Sequence, residues 1–302
     1  MNPTNSGLPY LIAVMGETAS GKTALAESVA ERLGAQLVNA DNFQVYRGMD
    51  VGTAKPADKS KYKLLDIKNP DEQFGVGEFV QLALPILEEC YNRGQSVVVV
   101  GGTGLNTRAL FEEFSGMMGT PDPELREELN RTFAERGLPP LVERLRQLDD
   151  AAAQRVDLAN PVRVIRAIER ASTEETQFDF KLPPFRKSKF CIDLPTEALN
   201  RRIETRVHQM VQNEWLLEIE RLREDGYRPD DPGFRAIGYR AMWDVAEERK
   251  GLDQAIAETV LESKRYAKRQ RTWLRREPNL NRLSADSDTN LVEQAMASLP
   301  VD

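Results

Sequence analysis

Two short runs of the chain are apolar without alternation: "YLIAVM" at residues 10 to 15 and "VVVV" at residues 97 to 100. Such runs suit strands covered on both faces. "AQLVNAD" predicts another short strand ending at Asp41, and "KSKFCIDLP" one more that rejoins the same sheet. Between these runs the apolar period lengthens to that of a helix. "TALAESVAERLG" carries Leu25, Val29 and Leu33 on one face and stops at Gly34, and "VGEFVQLALPILEECYNRG" is helical as well. Strand, helix, strand, helix, strand is the rhythm of a parallel sheet.

The texture changes near residue 117. From there to "NPVRVIRAIERAS" only helical periodicity is found, broken at "RGLPP" and "ANP", and "TEETQFDFKLPPF" reads as a linker. The predicted architecture is an α/β fold, a P-loop parallel sheet flanked by helices, with an inserted all-helical subdomain. Residues 1–116 and 186–302 form the core and residues 117–185 the insertion. After the last strand the pattern predicts three helical stretches, "EALNRRIETRVHQMVQNEWLLEIERLREDG", "YRAMWDVAEERKG" and "GLDQAIAETVLESKRYAKRQRTWLRRE". The tail beyond residue 285 is weakly patterned and is expected to fray.

Composition narrows the chemistry. The one histidine, His208, argues against histidine triads and most transition-metal sites, and two cysteines, Cys90 and Cys191, argue against a disulfide framework. No apolar run approaches the roughly 18 residues of a membrane span, so no membrane partner and a cytoplasmic setting are expected. Net charge is −7, yet residues 263 to 276, "SKRYAKRQRTWLRR", hold seven basic residues and no acid. On a helix, Lys264, Lys268, Arg271 and Arg275 share a stripe beside Arg265, Arg269 and Arg276, while Tyr266, Ala267, Gln270, Trp273 and Leu274 face the other way. A solvated face is the ordinary reading of a charge run, but the absence of acid favours a polyanionic partner.

"GETASGKT", Gly16 to Thr23, matches G-x-x-x-x-G-K-[ST] between a strand and a helix. Its backbone N–H groups and the helix N-terminus can wrap phosphate oxygens, with Lys22 adding charge and Thr23 a Mg²⁺ ligand. The motif recognises a chain of phosphates and does not by itself specify a nucleoside triphosphate. Asp41 sits at a neighbouring strand end, where ligands collect in open parallel sheets. It suits a metal ligand, a proton acceptor or a loop cap. The valine strand ends in "GGTG" rather than in an acid, which leans toward a departing diphosphate stabilised at Thr103.

"GETASGKTALA", "ADNFQVYRGMDVGTAKP", "VVVVGGTGL", "RAIGYRAMW" and "RYAKRQRTWLR" occur in that order, and together they resemble the tRNA dimethylallyltransferase (tRNA isopentenyltransferase) family from about residue 9 to 277. The resemblance implies transfer of a dimethylallyl group from dimethylallyl diphosphate to N6 of the adenosine next to the anticodon. It implies diphosphate binding by Gly16, Thr18, Ala19, Ser20, Gly21, Lys22 and Thr23, with Mg²⁺ at Thr23, and catalysis by Asp41, Thr103 and Arg206. It implies tRNA contacts from Asp41, Asn42, Phe43 and Gln44, and from Arg163 and Arg166. Further tRNA contacts are implied from Arg235, Gly238, Tyr239 and Arg240, and from Lys268, Arg269, Arg271 and Arg275. A monomer acting on the anticodon stem-loop is expected.

Some positions depart from the family pattern. Asn42 replaces a usual serine, Asn106 a usual tyrosine, and Glu214 a usual glycine, while "NPVRV" lacks one arginine and "KYKLLDI" lacks a histidine-containing lead. Three other readings compete. They are a small-molecule P-loop kinase, a prenyltransferase acting on free adenine nucleotides, and a non-catalytic RNA-binding protein. The missing acid after the valines, the basic helix with the insertion, and the intact phosphate motif with Asp41 disfavour them in turn.

Overall fold

The computed structural model describes residues 7–113, 122–172, 180–285 and 290–300. Six strands, β1 (Tyr10–Met15), β2 (Gln36–Asn39), β3 (Tyr62–Lys63), β4 (Val97–Val100), β5 (Arg186–Asp193) and β6 (Leu280–Ser284), form one sheet in the order β3-β2-β4-β1-β5-β6. Every pairing is parallel; Leu11 stands opposite Val97 on one side and Lys187 on the other. Such a sheet needs cover on both faces, and this is why the strands carry uninterrupted valine and isoleucine. The carboxyl ends of β1, β2, β4 and β5 lie along one edge. They lead respectively into Gly16, Asp41, Gly101 and Leu194.

The sheet is flanked by α1 (Lys22–Leu33), α2 (Val76–Asn92) and α3 (Gly104–Phe111). Gly34 closes α1 in the left-handed region, as its sequence predicts. Four helices follow in the second compact unit, residues 114–180: α4 (Pro123–Arg136), α5 (Pro139–Leu148), α6 (Asp150–Arg155) and α7 (Pro161–Ser172). Leu129, Leu141, Leu145, Val164, Ile165 and Ile168 form that unit's own core, and Arg126 pairs with the buried Glu169. The first unit comprises residues 1–113 and 181–302.

The first unit continues with α8 (Thr196–Gln212), α9 (Trp215–Glu224), α10 (Tyr239–Ala246), α11 (Leu252–Leu274) and α12 (Leu291–Ala297). Two expectations are corrected here. The stretch 197–226 is two helices, because Glu214 takes φ 66° and turns the chain between α8 and α9. The left-handed region disfavours a side chain and suits glycine. Glu214→Gly is therefore expected to stabilise the fold by about 0.5 kcal/mol, the relieved strain being partly offset by a freer unfolded chain. A raised thermal midpoint checks it.

The second correction concerns the tail. Residues 280–284 form β6 on β5, and α12 docks on α1, with Ala295 buried, Leu291 and Val292 against the main core and Glu293 paired to Arg32. Residues 286–289, 301 and 302 lie outside the described residues.

Candidate active site

Gly16 to Thr23 links β1 to α1, with Ala19 and Gly21 in the left-handed region (φ 62° and 98°), so the loop curls back over the helix start. It opens into a cleft of about 940 Å³. Lys22, Asp41, Gln44, Lys55, Arg202, Arg206, Arg235, Tyr266, Arg269 and Gln270 are among the residues lining it. Burial, and then the positive charge of Arg206, push Lys22 down to about 8, while Asp41 and Glu17 pull the other way. Burial also lowers Arg206 from its usual range, against the pull of Asp41. Arg206 makes no hydrogen bond or ion pair among the described residues. Two underpartnered cations facing one cleft form a receptor for an anion.

A phosphate chain bound beside Lys22 restores its proton. Above pH 8, diphosphate binding is therefore expected to take up a proton, and affinity to fall by up to about tenfold per pH unit. Calorimetry in buffers of different ionisation enthalpy measures that uptake. Binding with no proton exchange at pH 9 would contradict it.

Asp41 follows the end of β2. Its Oδ1 accepts the Phe43 N–H at 3.0 Å. A methyl group on Gly102 would lie 3.6 Å from Asp41 Oδ2, 3.8 Å from Lys22 Cε and 2.7 Å from Gln270 Nε2. Carboxylate, lysine and the turn after β4 thus converge on one point. The three glycines of that turn have packing reasons. A Cβ on Gly101 would strike the Ala40 backbone at 2.6 Å, and one on Gly104 the Trp273 ring at 2.3 Å. Thr103 stands between Gly102 and Gly104 at the start of α3. Burial, and then the Asp41 charge, push the Tyr266 hydroxyl up to about 12, so it stays protonated at neutral pH.

Helix α11 braces the phosphate loop. The Gln270 side chain accepts the Thr18 N–H at 2.8 Å and donates to the Gly102 carbonyl at 2.9 Å. The Arg271 guanidinium donates to Glu17 at 2.6 Å, to Thr196 Oγ1 at 2.5 Å and to the Leu194 carbonyl at 2.9 Å. This corrects the stripe drawn from the sequence: Arg271 turns inward and is spent inside the protein. Lys264 is paired with Glu204. Lys268 and Arg275 are exposed and make no ion pair among the described residues, and Arg269 is exposed above the Tyr266 ring. Ala267, Gln270 and Leu274 form the buried side, as the helical spacing requires.

The segment 235–240 divides similarly. Arg235 and Arg240 are exposed, but Gly238 and Tyr239 are buried, so the expectation of tRNA contacts from those two is corrected. Gly238 is pressed against Trp215 and Thr259. The Tyr239 hydroxyl donates to Glu218 at 2.6 Å, and the same carboxylate accepts the N–H groups of Asp50 and Val51 at 2.6 Å each and of Gly52 at 3.4 Å. Lys55, from the same run, reaches the Tyr46 carbonyl at 2.5 Å and pairs with Asp50 and Asp66. The distinctive run "GMDVGTAKP" is therefore chiefly scaffold, folded around Glu218 and Lys55. It carries the cleft wall at Gly52 to Pro56. Gln44 spends its amide nitrogen on the Thr53 and Ala54 carbonyls, and Phe43 also faces the cleft.

Arg163 and Arg166 lie on the exposed face of α7 in the second unit. Arg202 was not singled out from the sequence. It lines the cleft and donates to the Ser20 carbonyl at 3.1 Å. Its spacing of four from Arg206 puts both on one helix face and was the available signal.

A glycine-bounded phosphate loop at the carboxyl edge of a parallel sheet, facing an acid on the next strand, defines a P-loop α/β protein with a site for polyphosphate chemistry. Two family models match: IPP transferase over residues 44–277 and isopentenyl transferase over residues 9–66. The tRNA dimethylallyltransferase of Roseiflexus sp. (strain RS-1) is 38% identical over 293 residues, covering 94% of this chain and 96% of the relative. That of Syntrophobacter fumaroxidans is 35% identical over 98% of this chain and 90% of its own length. The crystal structure of the full-length tRNA isopentenylpyrophosphate transferase of Bacillus halodurans superposes with a TM-score of 0.69 at 34% identity, covering 95% of this chain and 93% of that one. A eukaryotic dimethylallyltransferase acting on tRNA shares the fold, with a TM-score of 0.78 at 21% identity over 96% of this chain and 78% of that one. The chain belongs to the IPP transferase family, the family of the tRNA dimethylallyltransferases.

Proposed function

We propose that this chain transfers a dimethylallyl group from dimethylallyl diphosphate to N6 of the adenosine next to the anticodon of tRNA. The observation that carries the reading is the convergence of Asp41 Oδ2 and Lys22 on one point of a cleft that also holds Arg206. The loop N–H groups of Thr18 to Thr23, with Lys22, Arg202 and Arg206, bind the diphosphate. The allylic C–O bond breaks, and its electron pair leaves on the diphosphate oxygen, where Lys22, Arg206 and the Thr103 hydroxyl meet the growing charge. The N6–C bond forms, and the N6 proton passes to Asp41. No covalent enzyme intermediate is needed.

Among the described residues no group of three His, Cys, Asp or Glu side chains is placed to hold a metal ion. Thr23 lines the cleft in the first turn of α1, and the buried Ser20 Oγ of the same loop lacks a partner among the described residues. This donor set fits Mg²⁺ at Thr23, which would neutralise charge on the leaving diphosphate.

Lys268, Arg269, Arg275, Arg235 and Arg240 present exposed cations for the tRNA backbone, and Phe43 and Gln44 line the cleft that takes the reacting nucleotide; the exposed Arg163 and Arg166 of α7 bind tRNA as well. The target base must leave its stack to reach such a cleft. The described residues include no helix long and apolar enough to cross a membrane, and both cysteines are buried and unpaired. The deciding assay incubates the protein with unmodified tRNA and radiolabelled dimethylallyl diphosphate while following ATP. Label in the tRNA with ATP untouched is expected; ATP consumption without labelled tRNA would overturn the reading.

A further inference from the structure

Asp41 lies beyond the last residue of β2, so no strand partner holds its backbone. The ladder's final bond is Ala40 N–H to the Val100 carbonyl, at 2.8 Å. A single side chain takes over from there. Asn39 Oδ1 accepts the Asp41 N–H at 3.0 Å, and Asn39 Nδ2 donates to the Asp41 carbonyl at 3.1 Å and the Leu64 carbonyl at 3.0 Å. Across the turn, Asn106 of α3 donates from Nδ2 to the Ala40 carbonyl at 3.0 Å and to Asn42 Oδ1 at 2.7 Å. Residues 40, 41 and 42 are thus gripped by two amides, from β2 and from α3.

Both amides are shut from solvent, Asn39 at 1% exposure and Asn106 at 0%. A buried amide is kept in place by the bonds it makes, since any other orientation leaves polar groups unpaired. Asn106 Oδ1 has no partner among the described residues, so the donor side of this amide is what the fold retains. With the peptides on either side fixed and Oδ1 bound to the Phe43 N–H, Oδ2 is the oxygen left toward Gly102 and Lys22.

We propose that Asn39 and Asn106 are positioning residues that aim the Asp41 carboxylate at the reacting amine. The inference rests on the reading of Asp41 as proton acceptor given above. It also brings together two of the departures from the family pattern, Asn42 and Asn106, which bond directly to each other. A proton acceptor displaced by about 1 Å loses about a hundredfold in rate.

The test compares kcat, the KM for dimethylallyl diphosphate and the tRNA Kd for the full chain and for Asn39→Ala and Asn106→Ala, each in the Asp41 and the Asp41→Ala backgrounds. With Asp41 present, kcat is expected to fall 30- to 100-fold, with both substrate constants within about twofold. With Asp41 absent, the same substitutions are expected to change the residual rate by less than twofold, because groups acting as a unit are not additive. An unchanged kcat overturns the proposal. So does an equal fall in both backgrounds, or loss of substrate binding in step with kcat. Asn106→Ala removes one grip only and decides the matter if Asn39→Ala does not fold. Wild-type protein that labels no tRNA would sink the functional reading itself, a result separate from wild-type transfer with indifferent asparagines.

Discussion

Asp41→Asn is expected to lower prenyl transfer by about 10²- to 10⁴-fold while tRNA binding stays within a factor of about three. The substitution keeps the shape of the side chain and an oxygen for the Phe43 N–H, so the turn after β2 has no reason to move. It removes the carboxylate at the convergence point, and at neutral pH the other titratable groups there among the described residues are ill suited to accept a proton: Lys22 and Arg206 are cations and Tyr266 is held protonated. Single-turnover rates with bound tRNA measure the chemical step apart from binding. Equal losses of rate and tRNA affinity would recast Asp41 as a structural residue of the nucleotide pocket.

Arg271→Ala is expected to destabilise the protein by about 3 kcal/mol and to raise the KM for the donor, leaving the salt dependence of tRNA binding unchanged. Glu17 is buried, and its carboxylate would lose its cation. A buried charge stripped of its partner costs far more than the pair had contributed. The Thr196 hydroxyl and Leu194 carbonyl would lose donors as well. The contrasting variant is Lys268→Ala with Arg275→Ala, both exposed on the same helix. It is expected to leave stability within about 0.5 kcal/mol and to flatten the slope of log affinity against log salt by about 1.5. If Arg271→Ala flattened the slope and the exposed pair did not, the RNA face of α11 would have been assigned to the wrong side.

The contrast between these variants shows what a helical wheel can tell. Periodicity placed Ala267, Gln270 and Leu274 on the buried side correctly, because apolar and small residues report their own burial. It placed Arg271 outside because a cation's position depends on acceptors elsewhere: Glu17 and Leu194 are remote in sequence. Tyr239, which the family resemblance implied as a tRNA contact, is instead held by Glu218 on another helix. The strands β1, β2, β4 and β5 and the phosphate loop were legible because each is an apolar run or a motif with its own local geometry. Strand β6, "LNRLS", buries only Leu283, so at the sheet edge it carried too little apolar signal. The break between α8 and α9 was hidden because Glu214 occupies a backbone position at which glycine would have announced the turn. The run "GMDVGTAKP" pointed to the family, but not to the reason. Its identity is set by the Glu218 carboxylate and the Trp215 ring, which leaves 2.3 Å where a Cβ on Gly52 would sit.

Gln270 and Arg271 have a consequence for biosynthesis. They touch Thr18 and Glu17 across 252 and 254 positions of sequence. During translation the phosphate loop is therefore made well before its brace. A ribosome-bound fragment ending before Gln270 holds the motif without its support. Completion of the phosphate loop's surroundings thus waits until α11 has been made, and in refolding it must wait for one of the longest loop closures among the described contacts.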